Sequence, residues 1–201
     1  MLKEWINRNF GRTEKFKKLS LEMDMSFSEK DEWGLLNLLK GFQLFHKGDI
    51  TNILKEKEGF YDSDIRIFDY KYTKGSGDSS STHKQTVFFI QSKKLNLPEF
   101  YLKPEYFLYR IGKYFGIKDI DFQEHPEFSK QYWLKGTDEA RIRKEINEEV
   151  IHFFTIEKNW SLEGINYYMI LYKKDTLLLP EEVKELYEKG KELVTLFVSD
   201  S

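Results

Sequence analysis

The stretch Ile65–Glu105, IRIFDYKYTKGSGDSSSTHKQTVFFIQSKKLNLPEFYLKPE, leaves the chain few ways to fold. Arg66, Asp69 and Lys71 are set among Ile65, Ile67, Phe68, Tyr70 and Tyr72, an alternation with a doubly apolar centre. Gln85–Ile90 is a β-branched and aromatic run, suited to a pleated, half-buried surface. Between them Lys74–Lys84 is rich in Gly, Ser and Thr, so the pattern predicts a hairpin with a long mobile tip holding Gly75, Gly77 and His83. Strands joined only by turns pair antiparallel, because parallel neighbours need crossover connections.

Around this hairpin the spacing predicts an α+β domain: an antiparallel sheet of about six to eight strands covered by helices. Short strands are expected at Met25–Ser28, Ile50–Lys57, Phe100–Leu102 and Phe128–Leu134. A second hairpin, Asn159–Lys173, is expected to turn at Glu163-Gly164. Pro98 and Pro104 predict that the strand between them lies at a sheet edge or its ends. Helices are expected at Asp31–Gln43, Glu105–Phe115 with Gly116 as its stop, and from Thr137 or Asp138 onward with a break at Asn147. The clearest is 180–197, where Pro180 and two glutamates open a stripe of Val183, Leu186, Leu193, Val194 and Phe197. Gly190 lies inside that stripe, which predicts a close approach there.

Residues 1–19 form a basic, amphipathic start with Leu2, Trp5, Ile6 and Phe10 at helical spacing and Gly11 as a stop. Such a segment either packs on the body or lies on an anionic membrane surface. Residues 20–201 read as one domain, with two similar halves meeting near 116 as a variant. At 201 residues the chain can bury roughly 70% of its unfolded surface. Its 32 basic and 34 acidic residues give a net charge of −2, so no global field draws nucleic acid, and none is expected as a partner. No apolar run is long enough to span a bilayer, which makes the cytoplasm, or the membrane periphery, the expected location. Without cysteine the chain has no disulfide, thiolate nucleophile or Cys-ligated metal.

One acidic stretch could carry chemistry. Asp119, Asp121, Glu124, His125 and Glu127 crowd together, and carboxylates with one imidazole can hold a divalent ion. The spacing lacks the glycine and terminal glutamate of a calcium loop, so a solvated acidic turn is the plainer reading. Ser79–His83 with Asp78 holds the residue types of a serine hydrolase, but Gly75-Ser76-Gly77 is neither a nucleophile elbow nor a phosphate loop. The expected function is a non-enzymatic binding or interaction domain without a cofactor, meeting a protein partner or a second copy through edge strands. The alternative is a metal-assisted hydrolase using Asp119, Asp121 and His125, with Glu127 as base.

Several strings together resemble a family of uncharacterised bacterial proteins: Phe68–Thr73 (FDYKYT), His83–Val87 (HKQTV), Leu97–Glu105 (LPEFYLKPE), Asp119–Gly136 (DIDFQEHPEFSKQYWLKG) and the Trp160–Tyr172 hairpin. The resemblance spans roughly residues 20–197 and implies no activity. It implies that some similar proteins carry a membrane segment ahead of this domain, where this chain has the basic start.

Overall fold

A computed structural model describes residues 2–32, 34–57, 59–105 and 119–198, with side chains from residue 11 onward except that of Asp78. In chain order the elements are α1 (Leu2–Glu22), β1 (Met25–Lys30), α2 (Leu35–Leu38), β2 (Asp49–Glu56), β3 (Asp64–Lys74), β4 (Ser81–Gln91) and β5 (Leu97–Pro104). Then come α3 (Pro126–Gln131), β6 (Tyr132–Gly136), α4 (Glu139–Glu145), α5 (Glu148–Ile156), β7 (Ser161–Asn166), β8 (Tyr168–Tyr172) and α6 (Pro180–Val198). The strands form a single sheet in the order β1-β2-β3-β4-β8-β7-β5-β6, every neighbouring pair antiparallel. The expected α+β class, with a helix-covered antiparallel sheet and a C-terminal amphipathic helix, is the architecture observed.

Both faces of the sheet are covered, and this explains the doubly apolar centres. Ile65, Ile67, Phe88, Ile90 and Leu171 pack with Phe16 and Leu19 of α1, Val150 and Phe154 of α5, and Val183, Leu186 and Leu193 of α6. The intervening Phe68, Tyr70, Val87, Phe89 and Ile170 face the other way, onto Leu35, Leu39, Phe42 and Phe45. Successive side chains point to opposite faces, so Ile67-Phe68 and Phe88-Phe89 each supply both cores. At Gly190 the close approach is a side chain, not a backbone: a Cβ there would stand 2.4 Å from the Phe88 ring.

α1 is held by charge as well as by packing. Arg12 makes a two-pronged contact with buried Asp69, Nε to Oδ2 at 2.6 Å and Nη2 to Oδ1 at 2.7 Å, and donates to the Leu178 carbonyl at 2.8 Å. Asn52 and Thr86 donate to the same carboxylate at 2.9 Å each. Asp69 points to the helical face, like Ile65 and Ile67, so the helix must bring it a partner.

Several boundaries differ from expectation, each for a local reason. α1 continues through Gly11 to Glu22, because Phe16 and Leu19 gain a core beyond it. The helix expected over Asp31–Gln43 shortens to Leu35–Leu38 and a 3-10 turn at Leu39–Gly41, preceded by Gly34 at φ 71°. β5 is an interior strand between β7 and β6; Pro98 falls at its register shift and Pro104 at its end, where no ladder N–H is required. Phe128 belongs to α3, which Pro126 opens, and the strand begins only at Tyr132. The second hairpin turns at Tyr167, leaving Glu163 and Gly164 inside β7. Asp138 and Asn147 cap α4 and α5 through the Arg141 and Val150 N–H groups, as the break predicted. The helix expected over Glu105–Phe115 lies outside the described residues.

Candidate functional site

The first hairpin closes earlier than expected. β3 reaches Lys74 and β4 begins at Ser81, so Gly75 (φ 92°) and Gly77 (φ 57°) turn the chain while His83 sits in the strand opposite Tyr72. Its ring stacks on Tyr72 at 4.8 Å, and its two nitrogens meet Ser81 Oγ at 3.0 Å and Asp175 Oδ1 at 2.7 Å. The connectivity is that of a Ser–His–Asp relay, but it lies at an exposed strand end. A developing oxyanion there would be in water, not among preorganised donors. The relay instead ties the hairpin to the loop before α6.

Asp119–Glu127 serves the fold first. The Asp119 carboxylate accepts from the Leu134 N–H at 2.9 Å, and the Ile120 N–H donates to the Leu134 carbonyl at 3.0 Å. β6 is a sheet edge, so these two bonds occupy the outward backbone groups at its centre. Phe122 N–H donates to Ser129 Oγ at 2.9 Å, and the His125 carbonyl accepts from the Ser129 N–H. His125 flanks the start of α3 without a side-chain cap bond. Asp121 and Glu127 are exposed, and Glu127 pairs with Lys130 at 3.5 Å. Among the described residues no three His, Asp or Glu side chains gather as metal ligands.

Burial, opposed by the backbone donors and reinforced by Asp121, pushes the Asp119 carboxyl up to about 6. A carboxyl that ionises later when folded binds more protons than the unfolded chain between about pH 4 and 6, so this group's contribution to stability falls as pH rises through that window. Asp119→Asn keeps an acceptor for Leu134 and is expected to be more stable than the parent above pH 6, the difference vanishing near pH 4. Urea unfolding of both proteins across that range checks it.

His125 and Glu127 do meet in space with residues distant in sequence. They line a groove of about 900 Å³ between α3, α5 and α6, whose wall also holds Glu124, Glu148, Glu149, Glu157, Glu192 and His152. Phe128, Ile151 and Phe153 form its buried floor, and Ile156 stands 62% exposed beside it. Asp121 lines an adjoining depression of about 500 Å³ that shares Glu124, His125, Glu148 and Ile151 with the groove. Asp119 lines neither. Glu127, Glu148 and Glu149 lie in first helical turns, where the dipole favours them; Glu157 and Glu192 do not. No lysine or arginine lines the larger groove among the described residues.

A second group escaped the sequence because Glu163-Gly164 reads as a turn. Glu163 is 2% exposed on the face opposite the helices, accepting from the Gln43 N–H at 2.6 Å and the Tyr172 hydroxyl at 2.9 Å, with Lys103 Nζ at 3.8 Å. The only available signal was the Ser161/Glu163 spacing along a strand. Burial drives the Tyr172 phenol well up, and the neighbouring carboxylate adds to it.

No helix among the described residues is long and apolar enough to cross a membrane. No family model matches the chain, and no curated protein matches it. Its fold is shared with the crystal structure of the mycobacterial trehalose monomycolate transport factor A, TtfA, at a TM-score of 0.61 over 94% of this chain and 93% of that one, with 11% sequence identity.

Proposed function

We propose that this chain is a non-enzymatic interaction domain that seats a basic, amphipathic segment of a partner protein, close to a membrane surface. The observation that carries the reading is the α3–α5–α6 groove. Six glutamates surround an apolar floor, with exposed Ile156 at its side. A helix with an apolar stripe and lysines or arginines beside it matches that pattern in both charge and apolarity. The membrane setting is supported by the shared fold with a protein named as a transport factor, and by the lysines of α1 at 15, 17 and 18.

The test uses a synthetic peptide with Leu on one helical face and Lys on the other. It should bind saturably, more weakly as salt rises, and about tenfold less tightly to Glu148→Lys/Glu192→Lys. Ile156→Asp should weaken it too, while Glu29→Lys on the far side of the molecule should not. Binding that ignores the groove variants, or none at all, contradicts the reading.

A further inference from the structure

The sheet face covered by α2 and the 42–47 loop carries a second cavity, opposite in charge to the groove. It encloses about 380 Å³, within the range of small-ligand sites, and its wall includes Lys47, Lys74, Lys103, Lys174, His46 and Tyr72. Among the described residues no carboxylate is on that wall; Glu163 is buried beneath it, bonded to Tyr172, and Asp175 lies near enough to Tyr72 to act on its hydroxyl. Four lysines lining one cavity are unusual for a chain of net charge −2. Lys47 and Lys74 have no carboxylate within ion-pair distance among the described residues.

We propose that this cavity binds a phosphoryl group, carried either by a lipid head group or by a soluble phosphorylated molecule. Lysines act as compact point charges with three donors each, which suits a dianion, whereas a lone carboxylate is better held by an arginine fork, and no arginine is among the described residues of this wall. Lys103 is fixed in place by Gln43 Oε1 at 3.0 Å and by Glu163 beneath it. Burial, with Lys174 adding to it, holds the Lys103 ammonium below the usual lysine range against the pull of Glu163. Tyr72, braced between Tyr70 and His83, is raised by burial to about 12 and stays a neutral hydroxyl donor at the cavity wall. Charged wall, hydroxyl donor and size together describe an anion site.

The test titrates the full chain with inorganic phosphate at constant ionic strength, and in parallel with phosphatidylcholine vesicles containing or lacking phosphatidic acid. Lys47 and Lys74 are exposed, so Lys47→Glu and Lys74→Glu should fold normally, and circular dichroism checks that they do. Saturable binding in either arm, weakened about tenfold to a hundredfold by each variant and unchanged by Lys130→Glu, is the expected result. Binding in the phosphate arm alone identifies a soluble source, and binding that needs phosphatidic acid identifies a head group. No saturable binding in either arm, or binding indifferent to the cavity variants, overturns the proposal.

Discussion

Replacing Asp69 by alanine is expected to lower the unfolding free energy by about 3–5 kcal/mol, as for other buried ion pairs broken on one side. The substitution strands Arg12, whose side chain is 14% exposed, and removes the acceptor used by Asn52 and Thr86. The helix stays docked, since Arg12 keeps its bonds to Thr86 and the Leu178 carbonyl and Phe16 and Leu19 remain buried. Urea denaturation followed by circular dichroism measures the loss. Arg12→Ala should cost less, because Asn52 and Thr86 still serve the carboxylate. The double variant should be more stable than the sum of the single losses, since a charge without its partner is costlier than neither. Strict additivity would mean that the pair is not coupled.

The second large effect is expected at Glu163. Alanine there leaves the Tyr172 hydroxyl and the Gln43 N–H without an acceptor and Lys103 without its nearby anion, a loss of about 2–5 kcal/mol. Glu163→Gln retains one of the two acceptor oxygens, sets its NH2 against the other donor and removes the charge, so it should lose less than alanine. The gap between the two, read from denaturation midpoints, measures what the retained acceptor contributes. Equal losses would show that a single acceptor oxygen without the charge does not hold the 42–47 loop against the sheet.

Both residues show where the sequence stops being legible. The strands, the helix from Pro180 and the Asn147 break could be read because period and capping chemistry act locally. Asp69 sits among alternating polar residues and looks outward, yet its parity with Ile65 and Ile67 turns it toward the helices. Its charge is matched by a residue 57 positions away. Glu163 reads as half of a Glu-Gly turn; the Phe100 ring, 2.6 Å from where a Gly164 Cβ would stand, shows that glycine serves close packing inside a strand. Pro98 and Pro104 could mark a sheet edge or strand ends, because a proline gives up a ladder bond; the strand ends are what they mark, with a register shift beside Pro98.

The acidic stretch was visible as a cluster, but its division of labour was not. Asp119 closes the outer edge of β6, Asp121 faces the adjoining depression, and His125 and Glu127 reach the groove. The groove's remaining carboxylates come from α5 and α6, roughly 25 to 65 residues downstream, and no local pattern could have joined them. The four lysines of the opposite cavity are likewise scattered from 47 to 174.

The measurement that bears most directly on the interaction-domain reading is amide NMR mapping of the chain with the basic amphipathic peptide. Shifts concentrated at residues 124–128, 148–157 and around Glu192 and Leu196, fading as salt is raised, are what the groove predicts. Shifts confined to the β1 edge, or spread evenly over the surface, would contradict it.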